Sequence, residues 1–325
     1  MMKRIAVGSL ALLSLLACVS SKSADTSVSS PNMGVFAGTS PCADFAKSFL
    51  AIPAAESCDR IKWQLSLHES GKYVLRREWG YWVDNATYLA KGTTSIEGAW
   101  KTAKGGTNTP VLIQLENNNK NNLAFALVDQ NVLHLLDANK NLAIGDSGAS
   151  YTLSRDQQSS VITTGNHGSV DEKDLKPEIV FCGRTPCSEI AKDVNRSIGS
   201  DCFKLKWLLT LRRDPKTLAP TTYHIKGTLY RQENPDTEFP REGTWKVIKG
   251  TKTNPNAVVY QLDPAKPTDH PASKDGPIYL LKADPNVLFF VGKDGNLLIG
   301  NEDFSYTLNL DTKDRKRAQQ ALGGN

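Results

Sequence analysis

The sequence is poor in the residues on which metal sites most often depend. Its 325 residues include three methionines and five histidines, and two of the methionines are Met1 and Met2. The histidines, at 68, 134, 167, 224 and 270, show no spacing typical of metal ligands. A methionine-rich copper site is therefore excluded, and the histidines predict no metal centre.

Catalytic patterns are also missing. The sequence has no nucleophile paired with a base, no carboxylates in a fixed motif, no glycine-rich phosphate loop and no zinc triad. The stretch GDSGAS at 145–150 is similar to a protease serine segment but lacks a supporting His and Asp. We predict from these absences a protein that is not an enzyme and that needs no cofactor.

Neither sign of charge is in large excess. The 39 Lys and Arg residues against 34 Asp and Glu give a formal net charge of +5. The densest basic cluster lies within 311–325, and an aspartate interrupts it. This balance does not predict nucleic-acid binding, and we interpret 311–325 as a charged, solvated C-terminal tail.

A hydrophobic run occurs at the N-terminus but is short. Residues 1–17 combine Lys3 and Arg4 with an apolar segment too short to span a bilayer, the layout of a secretory signal peptide. The sequence LLA before Cys18 resembles a bacterial lipobox, in which the cysteine is acylated, for example with palmitate. The alternative is an ordinary signal peptide and an incidental Cys18.

Acylation of Cys18 would attach the chain to a membrane without a transmembrane helix, since each buried methylene contributes about 0.8 kcal/mol. By resemblance to the bacterial lipoprotein sorting rule, Val19 in place of an aspartate after Cys18 implies a lipid-anchored protein of the cell outer membrane. Residues 18–32 are rich in serine and have few apolar side chains, so we expect a flexible tether there.

The rest of the chain consists of two copies of one unit. The corresponding segments include TSPC ending at Cys42 with RTPC ending at Cys187, GAWK at Gly98 with GTWK at Gly243, and SYTL at Ser150 with SYTL at Ser305. This duplication predicts a first domain at 33–155, a linker at 156–177 and a second domain at 178–310.

Each unit has the hydrophobic period of strands. Apolar residues alternate with polar ones in IKWQLSL at 61–67 and LKWLLTL at 205–211, as is typical of half-buried strands. Seven or eight such strands per unit predict an antiparallel meander closed into a small barrel, because closure removes exposed edges. Helical spacing is found at Phe45 and Phe49, and at Ile190, Val194 and Ile198, so we expect one short helix between Cys42 and Cys58 and another between Cys187 and Cys202.

Several motifs of the first unit point to a known family. They are GTSPCAD at 38–44, Cys58 three residues before Ile61, SGKY at 70–73, Gly98 with Trp100, NVLHLLDANKNLAIG at 131–145 and YTL at 151–153. With these motifs the unit resembles the N-terminal domain of the NlpE lipoproteins. The chain is thus similar to two tandem NlpE-like domains. In that family the two cysteines usually form C-x-x-C, whereas here Phe45 takes the second place and Cys58 follows after an insertion.

The resemblance implies lipocalin-like β-barrels on a non-enzymatic outer-membrane lipoprotein. It also implies a role in copper resistance and in the envelope stress response or surface contact, with an envelope-stress sensor or another protein as partner. Two alternatives remain: a barrel that carries a small apolar ligand or lipid, and an inhibitor or adhesin that binds another protein.

The cysteines allow more than one interpretation. Disulfides Cys42–Cys58 and Cys187–Cys202 would each close a loop of about fifteen residues and contribute roughly 3 kcal/mol. Alternatively, Cys42 and Cys58 thiolates would bind Cu(I). Cys182 has Ala37 as its counterpart, so it would remain a free thiol, exchange with Cys187 or link two molecules.

Two further positions carry weaker predictions. REWGYWV brings Trp79, Tyr81 and Trp82 together, which indicates either a ligand surface at the barrel mouth or aromatic packing inside the barrel. His134 stands where the second copy has Phe289, which predicts a core position and not a ligand.

Overall fold

The computed structural model describes residues 34–83, 88–105, 111–116, 122–156, 176–193, 198–265 and 276–311. Over these ranges the chain forms two closed antiparallel β-barrels of eight strands each, and this confirms the predicted fold class. The predicted signal peptide, Cys18 and the tether lie outside the described residues, as do most of the predicted linker and tail. None of the helices in the described ranges is long and apolar enough to cross a membrane.

Barrel 1 is an up-and-down meander in which each strand pairs with the next along the chain. Strand β8 closes it by pairing Arg155 with Phe36 and Ser154 with Ala37 of β1. Its strands are β1 (Gly34–Pro41), β2 (Arg60–Leu67), β3 (Lys72–Trp82), β4 (Tyr88–Lys104), β5 (Val111–Glu116), β6 (Leu123–Asp129), β7 (Val132–Leu135) and β8 (Thr152–Arg155), with helix α1 (Asp44–Phe49) between β1 and β2.

Barrel 2 repeats this order. Pairing of β10 with both β9 and β11 closes the ring, and the two-residue β12 lies against β11 outside it. Its strands are β9 (Glu178–Thr185), β10 (Cys202–Arg213), β11 (Pro220–Arg231), β12 (Thr237–Glu238), β13 (Arg241–Lys249), β14 (Val258–Pro264), β15 (Ile278–Lys282), β16 (Val287–Val291) and β17 (Thr307–Leu310), with helix α2 (Ser188–Asp193) between β9 and β10.

The alternation predicted from sequence fixes which side chains fill each barrel. On β2, Ile61, Trp63 and Leu65 are at most 3% exposed, whereas Lys62 and Gln64 between them are exposed. Strand β10 repeats the pattern, with Leu205, Trp207, Leu209 and Leu211 buried. Aromatic and aliphatic side chains of this kind fill the interiors, so each barrel encloses a packed core.

A glycine in each copy allows the closing strand to approach β1 or β9. A Cβ on Gly38 would lie 2.5 Å from the carbonyl oxygen of Thr152, and one on Gly183 would lie 2.7 Å from that of Thr307. Both distances are shorter than real Cβ contacts, so only glycine fits. This explains the glycine that precedes the Pro-Cys pair in both copies.

The two barrels share a third hydrophobic cluster that lies between them. It is made by the outward faces of β6 and β7 in barrel 1 and of β15 and β16 in barrel 2, with their neighbouring turns. Its main side chains are Val128, Val132, Leu136, Leu142, Leu281, Val287, Phe289, Val291 and Leu297. Strands β7 and β16 are buried on both faces. Their continuous apolar runs, NVLHLL and NVLFFV, are the sequence signal of this interface.

Equivalent residues of the two copies meet across this interface. The Gly145 N–H donates to Asn309 Oδ1 at 2.9 Å, and the Gly300 N–H donates to Ser154 Oγ at 3.0 Å. Gly145 and Gly300 end the matching NLAIG and NLLIG segments, and Ser154 and Asn309 follow the matching YTL segments. The contact is therefore self-complementary between the two repeats.

Candidate functional site

The two disulfides lie at the same end of their barrels. Cys42 directly follows β1 and bonds to Cys58, two residues before β2, with the Cα atoms 5.7 Å apart. Cys187 and Cys202 form the equivalent bond in barrel 2, with the Cα atoms 6.0 Å apart. The structure thus pairs the cysteines as the disulfide prediction expects, and each bridge encloses one short helix.

Helix α1 covers the end of barrel 1. Phe49 and Leu50 are at most 2% exposed and belong to the core of the barrel, as does Ala46. The Phe45 ring lies 5.6 Å from the ring of Tyr151. Because a six-residue helix is too short to be stable alone, its position depends on this packing and on the adjacent disulfide.

Helix α2 is held in the same way. Ile190 is 2% exposed and belongs to the core of barrel 2. The Glu189 N–H donates to Tyr306 Oη at 3.1 Å, and Tyr306 is the counterpart of Tyr151. In barrel 1, burial raises the pKa of Tyr151 and Asp146 adds to the effect, while a hydrogen bond from the Ala43 backbone opposes it. Both helices are thus tied to a buried tyrosine of the last strand region.

Ion pairs reinforce these ends. Arg60 donates through both terminal nitrogens to the two carboxylate oxygens of Asp146, at 3.0 and 3.1 Å. Asp146 also accepts the N–H groups of Gly148 and Ala149, so GDSGAS forms a turn before β8. In barrel 2, Arg231 donates to Asp201 at 2.7 Å. The protease-like stretch thus has a structural role in this turn.

Cys182 is the cysteine outside both disulfides. It lies on β9 between β10 and β17 and is 4% exposed. A link between two molecules through Cys182 would require β9 to open. Burial in the sheet therefore favours a packing role for this thiol.

The structure gives little support to a copper site at Cys42 and Cys58. Their sulfur atoms are bonded to each other, so neither is a thiolate in this state. Within the described ranges, no group of three or more His, Cys, Asp or Glu side chains is arranged to hold a metal ion. Copper binding at this pair would require prior reduction.

His134 is fully buried, in agreement with the predicted core position, but it lies between the barrels. Its Nε2–H donates to the Ala143 carbonyl oxygen at 2.9 Å, and its Nδ1 accepts from Thr152 Oγ1 at 2.9 Å. The ring stands edge-on to Phe289, its own counterpart, with 5.5 Å between centroids. Burial lowers the pKa of His134 to about 4, so the imidazole is neutral at pH 7.

The aromatic residues of REWGYWV, at 77–83, include one that packs inside the barrel and one that is exposed. Trp79 packs against the core of barrel 1. Trp82 is 43% exposed and contacts Tyr88 edge-on across the β3–β4 hairpin, next to Val83 and Leu89, which are 60% and 42% exposed. These three exposed side chains form an apolar hairpin tip, and packing inside the barrel describes Trp79 alone.

A cleft of about 670 Å³ lies along β11, β13 and β14 of barrel 2. Its lining includes Arg212, Tyr223, His224, Glu242 and Asp263. Because both acidic and basic side chains line the cleft, it has no strong preference for a ligand of one sign.

Arg77 is a residue that motif searching did not single out. It is 5% exposed and follows Tyr73 and Leu75 at two-residue spacing on β3, so it lies on the inward face of barrel 1. The signal was available in the sequence, since an arginine falls in phase with apolar residues in KYVLRREW.

Comparison with known proteins gives a structural likeness but no match in sequence. No protein-family model matches the chain, and no curated protein sequence matches it. Among solved structures, the Cpx pathway activator NlpE from Escherichia coli is 12% identical, with a TM-score of 0.23, over 65% of this chain and 90% of that one. A likeness of this size supports no functional conclusion.

Proposed function

We propose that the chain is a lipid-anchored, non-enzymatic protein of the bacterial outer membrane that takes part in envelope stress sensing. The observation that carries this proposal is the disulfide clamp, which recurs at equivalent positions of both barrels. Each clamp holds a helix that is too short to be stable alone against the end of a packed barrel.

The proposed signal is a loss of order at these ends. Reduction, or failed oxidation after export, removes the loop constraint of about 3 kcal/mol that each disulfide supplies. The side chains of Phe49 and Leu50, buried when α1 is in place, would then become available to a sensor protein. The barrels would keep their strand pairing, so the change would be local.

Support for the location comes from the sequence. The lipobox-like LLA before Cys18 and the serine-rich 18–32 are those expected of a lipid-anchored protein on a tether. Incorporation of labelled palmitate that is lost in Cys18→Ala tests the anchor. Labelling that persists in that variant, or that never occurs, contradicts it.

The sensing role is tested in Escherichia coli that lacks its own NlpE and carries an envelope-stress reporter. We expect Cys42→Ser/Cys58→Ser and Cys187→Ser/Cys202→Ser to raise the reporter signal above that of the wild-type chain at equal abundance. Cys182→Ala is the matched control, because it removes a thiol but neither disulfide. Equal signals from all four proteins would refute the role.

The apolar hairpin tip favours a second function, the binding of another protein. Trp82 pairs with Tyr88 and Leu89 pairs with Tyr81, so Trp82 and Leu89 expose apolar surface on opposite faces of the hairpin, with Val83 directly after β3. Aromatic residues such as Trp82 are enriched at protein interfaces. Capture of an envelope protein by the wild-type chain, but not by Trp82→Ala/Leu89→Ser, would support it. The packed barrel cores do not favour the alternative function, in which a barrel carries a small apolar ligand or lipid.

A further inference from the structure

The guanidinium of Arg77 lies inside barrel 1. On one side Arg77 pairs with Trp63 of β2, and on the other with Thr94 of β4. Trp79, two residues further along the same strand, has its ring 5.5 Å from the guanidinium carbon. This ring also covers Gly92, where an added Cβ would come within 2.3 Å of it. Arg77 is therefore enclosed by the barrel wall and an indole ring.

The donors of this pair find no acceptor among the described residues. Nε and Nη1 of Arg77 and Nε1 of Trp79 are buried and make no hydrogen bond to that part of the chain. Arg155 differs in this respect, since its Nε and Nη2 donate to the Gln130 carbonyl oxygen at 3.0 and 2.7 Å. Arg241 is intermediate: its Nε and Nη1 make no hydrogen bond to the described residues either, but its Nη2 donates to the Gly276 carbonyl oxygen at 2.7 Å.

The pKa of Arg77 also indicates that the guanidinium has no counter-charge nearby in the described part of the chain. Burial lowers the pKa of Arg77 to about 10, and no neighbouring carboxylate contributes to offset it. Arginine still carries its charge at pH 7, so the barrel holds a cation without a counter-charge among the described side chains. Such a buried charge is strongly destabilising unless an anion accompanies it.

The second copy indicates that the fold itself does not need this arginine. Gly227 pairs with Trp207 as Arg77 pairs with Trp63. The Phe239 side chain covers Gly227, is 1% exposed and stands edge-on to Trp207 with 5.9 Å between centroids. At this position barrel 2 therefore has the phenyl ring of Phe239, whereas barrel 1 has the cation of Arg77.

We propose that barrel 1 binds a small oxyanion, through carboxylate or phosphate oxygens, at the guanidinium of Arg77 and the indole N–H of Trp79. Charge-assisted bonds from the guanidinium would supply most of the affinity. The ligand is small because the core side chains, including Phe36, Phe125 and Leu75, fill the barrel beyond this level. This site goes beyond the proposed sensing role and does not depend on it.

The experiment is a titration of the purified protein with acetate and, separately, with inorganic phosphate. Ionic strength is held constant with chloride, and binding is followed by calorimetry and by the midpoint of thermal unfolding. The variants are Arg77→Met, Trp79→Phe and, as matched control, Arg241→Met, which removes a buried arginine from barrel 2. The double variant Arg77→Gly/Thr94→Phe places in barrel 1 the residues that barrel 2 has at these positions, Gly227 and Phe239. It replaces Arg77→Met if that variant does not fold.

We expect saturable binding of at least one anion by the wild type and by Arg241→Met. Arg77→Met or Arg77→Gly/Thr94→Phe should weaken it at least tenfold, and Trp79→Phe severalfold. Saturation by acetate alone identifies a carboxylate site, and saturation by phosphate alone a phosphate site. The proposal is overturned if neither anion saturates the wild type, or if the Arg77 variants bind as tightly as it does.

Discussion

Thr152 Oγ1 and Thr307 Oγ1 lie 2.9 Å apart and join the two barrels through the same residue of each repeat. Thr152 has two further partners, His134 Nδ1 and Ser150 Oγ, whereas no other side-chain hydrogen bond of Thr307 Oγ1 occurs among the described residues. Because Nδ1 of neutral His134 can only accept, the Thr152 hydroxyl donates to it and accepts from Thr307. The hydroxyls therefore form a directed chain across the interface.

This chain predicts unequal costs for two isosteric substitutions. Thr307→Val removes one bond and should cost about 1 kcal/mol of unfolding free energy, whereas Thr152→Val removes three and should cost roughly 2–3 kcal/mol. The double variant should cost less than the sum, by about 1 kcal/mol, since the shared bond is lost once. Urea unfolding measures all three. Thr221→Val, at an exposed site, is the control and should add to Thr152→Val without coupling.

His134→Phe places in barrel 1 the residue that barrel 2 has at this position, and it should change the pH dependence of stability. The folded-state pKa of His134 is about 4, below the ordinary 6.5, so between these values the unfolded chain binds the proton more tightly. The wild type should therefore lose stability relative to His134→Phe as pH falls from 6.5 to 4, by an amount on the order of 3 kcal/mol. Parallel stability curves for the two proteins would contradict the buried neutral imidazole.

The equivalent aspartates Asp129 and Asp284 should change the pH dependence of stability in the direction opposite to that of His134. Burial raises the pKa of each to about 6, although each accepts a backbone N–H two residues ahead, at 2.7 and 2.6 Å. Between pH 4 and 6 the folded protein holds these protons more tightly, so their contribution to stability falls as pH rises. Asp129→Asn and Asp284→Asn should gain stability relative to the wild type across this window, by up to roughly 3 kcal/mol each. A constant difference between variant and wild type over this range would show the carboxylates to be ionised throughout.

The motif glycines should not tolerate a methyl group. Gly38→Ala and Gly183→Ala force the added Cβ against the backbone of the closing strand and should each cost about 1–3 kcal/mol. Gly148→Ala is the control, because its Cβ would meet the tip of the Arg60 side chain, which can move. Chemical denaturation provides the comparison, and an equal cost at all three sites would rule out the close strand approach as the cause.

Both disulfides should contribute to stability by similar amounts. Cys42→Ser/Cys58→Ser and Cys187→Ser/Cys202→Ser should each lose about 3 kcal/mol, since the sequence separations they span are 16 and 15 residues. Denaturant unfolding of the wild type with and without reductant gives the sum of the two contributions independently, because reductant opens both bridges. A reduced wild type as stable as the oxidised one would show that the bridges constrain nothing.

Local patterns sufficed to predict much of the fold. Alternation in IKWQLSL and LKWLLTL predicted the inward faces of β2 and β10, and the repeat predicted two barrels. The cysteine pairs and the phenylalanine spacing predicted the short helices. These features depend on neighbours in sequence, which is why they could be read without coordinates.

The interface between the barrels and the Arg77 site were not predicted, because they depend on residues that are distant in sequence. Nothing local in NVLHLL shows that its outward residues Val132 and His134 meet the second barrel. Arg77 carries no motif, and its lack of an acceptor emerges only when the facing strands are in place. Burial on a second face is a property of the assembled molecule.

The contact between the barrels has a consequence for the origin of the chain. This surface pairs Thr152 with Thr307 and gives Gly145 and Gly300 reciprocal acceptors. Two separate copies of a single barrel can form a surface of this kind as a homodimer. Fusion of two such genes would make the association permanent and independent of concentration. Once joined, the halves would be free to diverge, which fits a histidine facing a phenylalanine at the centre and a buried arginine, Arg77, where barrel 2 has Gly227.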